Sequence, residues 1–251
     1  MVALMNAEIA KYFPFAPNRF DYLVNVSPRF KYVYIETPKV ACSTVKYHLQ
    51  MIEFDEDERR IYRNVHDRAF SPIRRISELN MTDEQLNDVM FGPEYFHFMF
   101  VRNPYTRTLS CYLDKFVKGS PGEVAEKRKY LGYGMDDEVS YIDFLRAVQQ
   151  QPLNKMDIHW TPQTYLLGVA QGYQYDFIGR FENFDADLAR ALRRVRGYNK
   201  PFESIQKRQY VFTEANQKVL QYYTPEAKKL VEEIYADDFI YLGYGRGIDL
   251  L

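Results

Sequence analysis

The chain has 251 residues, 46% hydrophobic and 27% charged, which is enough apolar material for a packed core and excludes global disorder. A formal net charge of −1 argues against nucleic-acid binding through bulk electrostatics, so any anionic ligand must be held by a local cluster of donors and cations. Two cysteines, Cys42 and Cys111, make neither a disulfide framework nor a zinc site and read as reduced thiols.

Nothing approaches the roughly 18 apolar residues of a membrane span, and MVALMNAEIAKYFPF lacks the basic start and apolar run of a secretory signal. The expectation is a soluble cytoplasmic chain. Residues 1–20 read as an irregular N-terminal extension broken by Pro14 and Pro17, and 21–251 as a single domain. DYLVNV and FKYVYIE then read as two strands of a hairpin joined at Ser27-Pro28, and Thr37-Pro38 stops the second. Val45, Leu49 and Ile52 recur at helical spacing, which predicts a helix starting near Ser43 or Thr44 and ending in EFDEDE.

Residues 59–75 are basic and irregular. Thr82-Asp-Glu-Gln85 is a capping box, opening a short helix with Leu86, Val89 and Met90 inward. YFHFMFV (95–101) reads as a buried strand, followed by Asn103 as N-cap and Pro104 as first helical residue. Leu109, Tyr112, Leu113 and Phe116 form that helix's apolar face. The glycine- and charge-rich stretch 118–137 reads as a surface excursion of the kind that serves as a lid. An amphipathic helix over 140–150 comes next, then a mixed segment containing HWTPQTYLL. DFIGRF (176–181) reads as a third buried strand, Asn183 as the cap of the next helix, and Thr224-Pro225 as the start of the last. Strands alternating with helices imply an α/β fold with a mainly parallel sheet flanked by helices, whose ligands gather at the carboxyl ends of the strands.

Two stretches follow buried strands at that end. In Pro38 to Lys46, a turn feeds a helix N-terminus whose free N–H groups and dipole favour phosphate or sulfate, with Ser43, Thr44 and Lys39 adding donors and charge. A plain strand-to-helix turn fits the same residues. A P-loop NTPase is the natural rival, but the loop lacks the Walker A glycines and its lysine precedes the hydroxyl pair. In the second stretch, FVRNPYTRTLSCYLDKF, Arg102 offers a two-pronged donor at a strand end. For Arg107 a structural ion pair is the simpler reading.

PKVACSTVK resembles the 5′-phosphosulfate loop of sulfotransferases that use 3′-phosphoadenosine 5′-phosphosulfate (PAPS), especially the carbohydrate sulfotransferase group of family 2. FVRNPYTRTLSCY resembles the family's 3′-phosphate strand and helix, and HWTPQTYLL, YDFIGRFENFDADL and IYADDFIYLGY look like further segments of it, so the likeness runs from Tyr32 to Tyr244. It implies a P-loop-like fold in which Lys39, Val40, Ala41, Cys42, Ser43 and Thr44 hold the 5′ end of the nucleotide, with Arg102 and Ser110 on the 3′-phosphate. Ser110 lies about two turns into its helix, roughly 10 Å along the axis, so that phosphate would lie beside the helix. The implied reaction transfers a sulfuryl group from PAPS to a hydroxyl acceptor, leaving 3′-phosphoadenosine 5′-phosphate (PAP), without a metal. Lys39 would assist the leaving group and a histidine would act as base.

Among four histidines, His97 reads as a core residue and His48 as a packing or surface one, which leaves His66 and then His159 as base, or a carboxylate such as Glu36 or Asp67. The acceptor is expected to be a carbohydrate. A small lipid-like or secondary-metabolite alcohol, or a non-catalytic nucleotide-binding protein, are the alternatives. Arg59, Arg60, Arg63, Arg68, Arg74 and Arg75, or Arg193, Arg194, Arg196, Lys207 and Arg208, read as cleft lining for a polyanion or as solvated faces.

Overall fold

Val24–Ser27 (β1) and Tyr32–Ile35 (β2) pair antiparallel with Val24 opposite Ile35 and Ser27 opposite Tyr32, as the hairpin reading requires. Phe96–Val101 (β3) runs parallel to β2, and Phe177–Arg180 (β4) runs parallel to β3, giving a four-stranded sheet in the order β1-β2-β3-β4. These relations come from a computed structural model, which describes residues 5–54, 64–195 and 215–247. By their contacts the described residues fall into two units, those of 1–101 with 167–208 and those of 102–166 with 209–251.

The first unit is built on the sheet. Every residue of β2 and β3 is buried, as near-continuous apolar runs demand. The helix Cys42–Glu53 (α3) lays Val45, Leu49 and Ile52 on the core around Tyr34 and Phe98, whose rings stack at 5.1 Å. A later helix of the unit, Phe184–Arg194, adds Leu188 and Leu192 to the same cluster. DFIGRF does not form a fully buried strand: β4 is a sheet edge, and Ile178 is 44% exposed. Gly179 of β4 is fixed by packing, because a Cβ there would meet the Phe100 ring at 2.3 Å. Asn183 occupies the N-cap position of Phe184–Arg194 without capping it; its amide instead donates to Asp187, whose other oxygen accepts from the Arg180 N–H.

Residues 5–20 are not irregular. Ala7–Tyr12 (α1) is capped by Asn6, and Pro17–Leu23 (α2) starts with Pro17, where a missing N–H costs nothing. Helix α2 also takes Asp21 to Leu23 out of the predicted DYLVNV strand. Phe13 and Phe20 pack at 4.8 Å within the core. Asp83–Phe91 (α4) follows its capping box, with Thr82 accepting from Gln85 N–H.

The second unit centres on Pro104–Tyr112 (α5). All nine residues are buried, so the helix has no solvent face. Its polar side chains are satisfied locally, Thr108 Oγ1 donating to the Pro104 carbonyl at 2.7 Å. A π-helical turn, Leu113–Val117, follows it. The predicted excursion contains a helix, Pro121–Tyr130 (α6), opened by a capping box in which Ser120 accepts from Glu123 N–H; the neighbouring glycines obscured that signal. Tyr141–Gln149 (α7), the single turn Gln163–Leu166 (α8), and Phe184–Arg194 (α9, of the first unit) continue the chain. Ala215–Tyr222 (α10), Pro225–Ile234 (α11) and Ala236–Tyr241 (α12) complete the second unit. Its core joins Leu109, Tyr112, Phe144, Trp160 and Val231. No helix among the described residues is long and apolar enough to cross a membrane.

Candidate active site

In the turn from β2 to α3, Val40 is fully buried, and the residues on either side take left-handed backbone angles, Lys39 at φ 69° and Ala41 at φ 54°. Neither is glycine, so each costs free energy that the packing of Val40 and the start of α3 must hold in place. Alternating handedness of this kind makes a concave array of backbone N–H groups suited to an anion. Ala41 is the N-cap of α3 and has no side chain able to satisfy the first N–H groups of the helix. Cys42 is half-buried beside Glu36, and burial together with that carboxylate pushes its thiol up to about 11, so it is no nucleophile at neutral pH.

Ser43, Lys46 and Gln50 form a polar stripe along α3 at helical spacing. Gln50 Nε2 donates to the Val65 carbonyl at 3.0 Å, bringing the next residue, His66, onto the stripe. His66 Nε2 lies 2.7 Å from Ser43 Oγ, and His66 Nδ1 lies 3.1 Å from Lys46 Nζ. Lys46 is ion-paired with Glu36, and both side chains are 2% exposed. Burial lowers the Lys46 pKa and the Glu36 carboxylate opposes that shift. An ammonium has donors only, so Nδ1 of His66 accepts and Nε2 carries the hydrogen, donated to Ser43 Oγ. The Ser43 hydroxyl is thereby left to donate its own hydrogen. The two carboxylates that the sequence offers as bases are engaged: Glu36 with Lys46, and Asp67 in a turn, accepting from Ala69 N–H at 3.0 Å.

In the second unit, Arg102 and Ser110 are 5% and 3% exposed. Arg102 Nε donates to Thr106 Oγ1 at 3.0 Å. The start of α5 is satisfied by Asn103, whose Oδ1 accepts from Tyr105 N–H at 3.0 Å. Arg107 is structural: its guanidinium donates to the carbonyls of Thr161 at 2.9 Å and Ile158 at 3.4 Å. Those carbonyls flank His159 and Trp160. His159 Nδ1–H donates to Asp157 Oδ1 at 2.6 Å, while Asp157 Oδ2 accepts from Lys127 at 2.7 Å. That contact leaves the imidazole lone pair on Nε2. Burial lowers the His159 pKa, Asp157 opposes the shift, and the Asp157 carboxyl is itself held well below the usual carboxylate range despite its burial, through bonds to His159 and Lys127.

A sequence profile of the Sulfotransferase family matches residues 22–245, the stretch that carries both turns. The chain belongs to this family. It is 30% identical to carbohydrate sulfotransferase 14 of Mus musculus over 212 residues, covering 79% of this chain and 52% of that protein. It is 31% identical to carbohydrate sulfotransferase 14 of Danio rerio over 241 residues (88% and 61%) and 24% identical to carbohydrate sulfotransferase 11 of Rattus norvegicus over 260 residues (91% and 68%). The chain thus spans about half to three-fifths of the length of the first two relatives. No solved structure matches it.

For this sulfotransferase-family chain, the structure brings His66 against Ser43 in the first unit, and Arg102, Ser110 and His159 all lie in the second. His97 is a core residue as expected, its Nε2 donating to the Val89 carbonyl at 2.7 Å. His48 is half-buried, and burial pulls its pKa down to about 4. Of the basic residues read as cleft lining, Arg68 donates to the Tyr22 carbonyl and Arg194 to the Asp176 carbonyl. Arg59, Arg60, Arg63, Arg196, Lys207 and Arg208 lie outside the described residues. Sequence reasoning passed over Lys46, Asp157 and Gln163. The Ser43/Lys46/Gln50 stripe was a readable signal for the first, and Asp-x-His for the second.

Proposed function

We propose that this chain transfers a sulfuryl group from PAPS to a hydroxyl of a carbohydrate. The observation that carries the reading is the β2–α3 turn: two non-glycine residues held left-handed, an uncapped helix start, and a serine primed by an imidazole. Family membership supports the reaction class. The relatives' names, which specify carbohydrate sulfotransferases, support the acceptor class. Taken unit by unit, the chemistry suits such a donor: the turn of the first unit offers N–H groups, a hydroxyl and Lys39 to an anion, and in the second unit Arg102 and Ser110 offer a cation and a hydroxyl to an anion.

When bound, the donor supplies an activated sulfuryl group whose leaving group is a phosphate. Lys39 and the backbone N–H groups of Val40 to Ser43 would neutralise charge gathering on that phosphate, while the Thr44 N–H donates to the Ala41 carbonyl at 2.9 Å. The Glu36–Lys46–His66 chain keeps the hydrogen of His66 on Nε2, so His66 acts as a donor through Ser43 and not as a proton acceptor. His159 serves as the base: Nδ1 is held by Asp157, Nε2 has a lone pair, and burial keeps the ring neutral. Arg107 and Asp157 position it.

Calorimetry with PAP, followed by a transfer assay on unsulfated glycans and on small alcohols, tests the proposal. Submicromolar to micromolar PAP binding with transfer to glycans is expected. Absence of PAP binding at submillimolar concentration overturns it, and transfer only to small alcohols replaces the acceptor. His159→Ala should abolish transfer while His66→Ala only weakens it. The reverse order would make His66 the base.

A further inference from the structure

Beyond the strand end at Val101, the backbone of Arg102 has a side chain as its partner. Gln163 Oε1 accepts from Arg102 N–H at 2.9 Å, and Gln163 Nε2 donates to the Arg102 carbonyl at 2.8 Å. One amide therefore pairs with both polar groups of one residue, as a neighbouring strand would. Gln163 is fully buried, so either contact, once lost, leaves a desolvated group unpaired. Those two contacts already fix which way the amide faces, since a flip would set donor against donor and acceptor against acceptor, and Asp238 reinforces that orientation. Asp238 is fully buried, and its Oδ2 accepts from Gln163 N–H at 2.9 Å and from Gln163 Nε2 at 3.2 Å. Its Oδ1 accepts from Thr164 N–H and from Thr164 Oγ1, both at 2.8 Å. A carboxylate accepts only, so the NH₂ end of Gln163 must face Asp238 and its oxygen must face Arg102 N–H. The carboxylate sits at the junction of α8 and α12, and its four donors compensate a burial that would otherwise be costly.

We propose that Asp238 and Gln163 are positioning residues for anion recognition: together they fix the backbone from which the Arg102 guanidinium projects, and so set the preference of the protein for a nucleotide bearing a 3′-phosphate. The proposal rests on the reading of Arg102 as the 3′-phosphate ligand. It assigns Gln163 a task distinct from holding the fold. Helix α5, just beyond Arg102, is buried all round and capped by Asn103, so the chain after Arg102 is already rigid. The Gln163 clamp fixes the residue before that cap, where the guanidinium departs. The Arg102 Nε–Thr106 bond then restricts the side chain itself.

The test compares the affinity of the full chain for adenosine 3′,5′-bisphosphate with that for adenosine 5′-phosphate, by calorimetry, alongside thermal melts. Arg102→Ala is the reference and should abolish the preference for the bisphosphate. Gln163→Met, close in shape but unable to make either backbone contact, should lower the preference roughly tenfold or more while affinity for the monophosphate holds. Asp238→Asn, which keeps Gln163 but gives its amide a competing donor, should act in the same direction more weakly and remains informative if Gln163→Met fails to fold. Tyr141→Phe breaks the Tyr141–Tyr223 hydroxyl pair and reports the effect of destabilisation alone, with no change in preference. If Gln163→Met and Asp238→Asn weaken both ligands equally, or neither, the positioning role is overturned while the Arg102 reading stands. If Arg102→Ala keeps the preference, the Arg102 reading and this proposal fall together.

Discussion

Two turns lead from parallel strands into helices, and they end their strands in opposite ways. After β3, the chain uses Asn103 as a side-chain cap for Tyr105 N–H and Pro104, which has no N–H, at the first helical position. After β2, the chain uses Ala41, left-handed and without a capping side chain, so the start of α3 keeps its dipole and gains no side-chain acceptor, with Thr44 N–H turned to the Ala41 carbonyl. The first arrangement is the stable one. The second gives up a cap and accepts two strained residues, which makes sense where the backbone itself is to meet an anion. Where the helix start is capped, as at α5, the proposed recognition falls to side chains such as Arg102.

The comparison is broken most strongly at Lys46. Lys46→Met leaves Glu36 buried without its cation and should cost about 3–5 kcal/mol in urea unfolding, with much of that loss recovered in Lys46→Met/Glu36→Leu. A loss below about 1 kcal/mol in the single variant would mean that Glu36 is not charged in the folded protein. Lys39→Ala should leave the unfolding midpoint nearly unchanged and reduce kcat about 10²–10³-fold, as expected for a group that meets charge only as it develops.

Asp157→Asn comes next. Asp157 raises the His159 pKa against burial, so its removal lowers that pKa further. The base then stays unprotonated to lower pH, and the acid limb of kcat/KM should shift downward in pH while the plateau falls about ten- to hundredfold. An acid limb that stays in place or moves upward would exclude His159 as the titrating group. The smallest effects have opposite signs at the two helix starts. Asn103→Ala should destabilise by about 1 kcal/mol through the lost cap. Ala41→Gly should stabilise by up to about 1 kcal/mol, because glycine adopts φ 54° without the Cβ penalty. A destabilising Ala41→Gly would show that its Cβ packing outweighs the strain.

Much of the frame was legible in the residues. The β1–β2 hairpin, the buried β3, the α3 core stripe and the Thr82 capping box are local patterns of period, branching and capping chemistry, and local patterns survive folding. The misreadings have local causes as well. Pro17 reads as a breaker in sequence although it stands at a helix start, and glycines around 118–137 conceal Ser120-Pro-Gly-Glu123. DFIGRF looks buried in sequence because it is apolar, but burial of a strand depends on whether a neighbour lies beyond it, and among the described residues β4 has none.

For the site, the order of residue types along the chain singles out the two turns as candidates, because an anion site at a helix start needs only a short contiguous segment. What each histidine can do was decided by tertiary structure alone. The hydrogen of an imidazole goes to the nitrogen its neighbours leave for it. Those neighbours, Lys46 and Ser43 for His66 and Asp157 for His159, were set by the folding of α3 and of the 157–161 turn. Gln163 and Asp238 stand 75 residues apart, and only packing brings the carboxylate to the amide that holds Arg102.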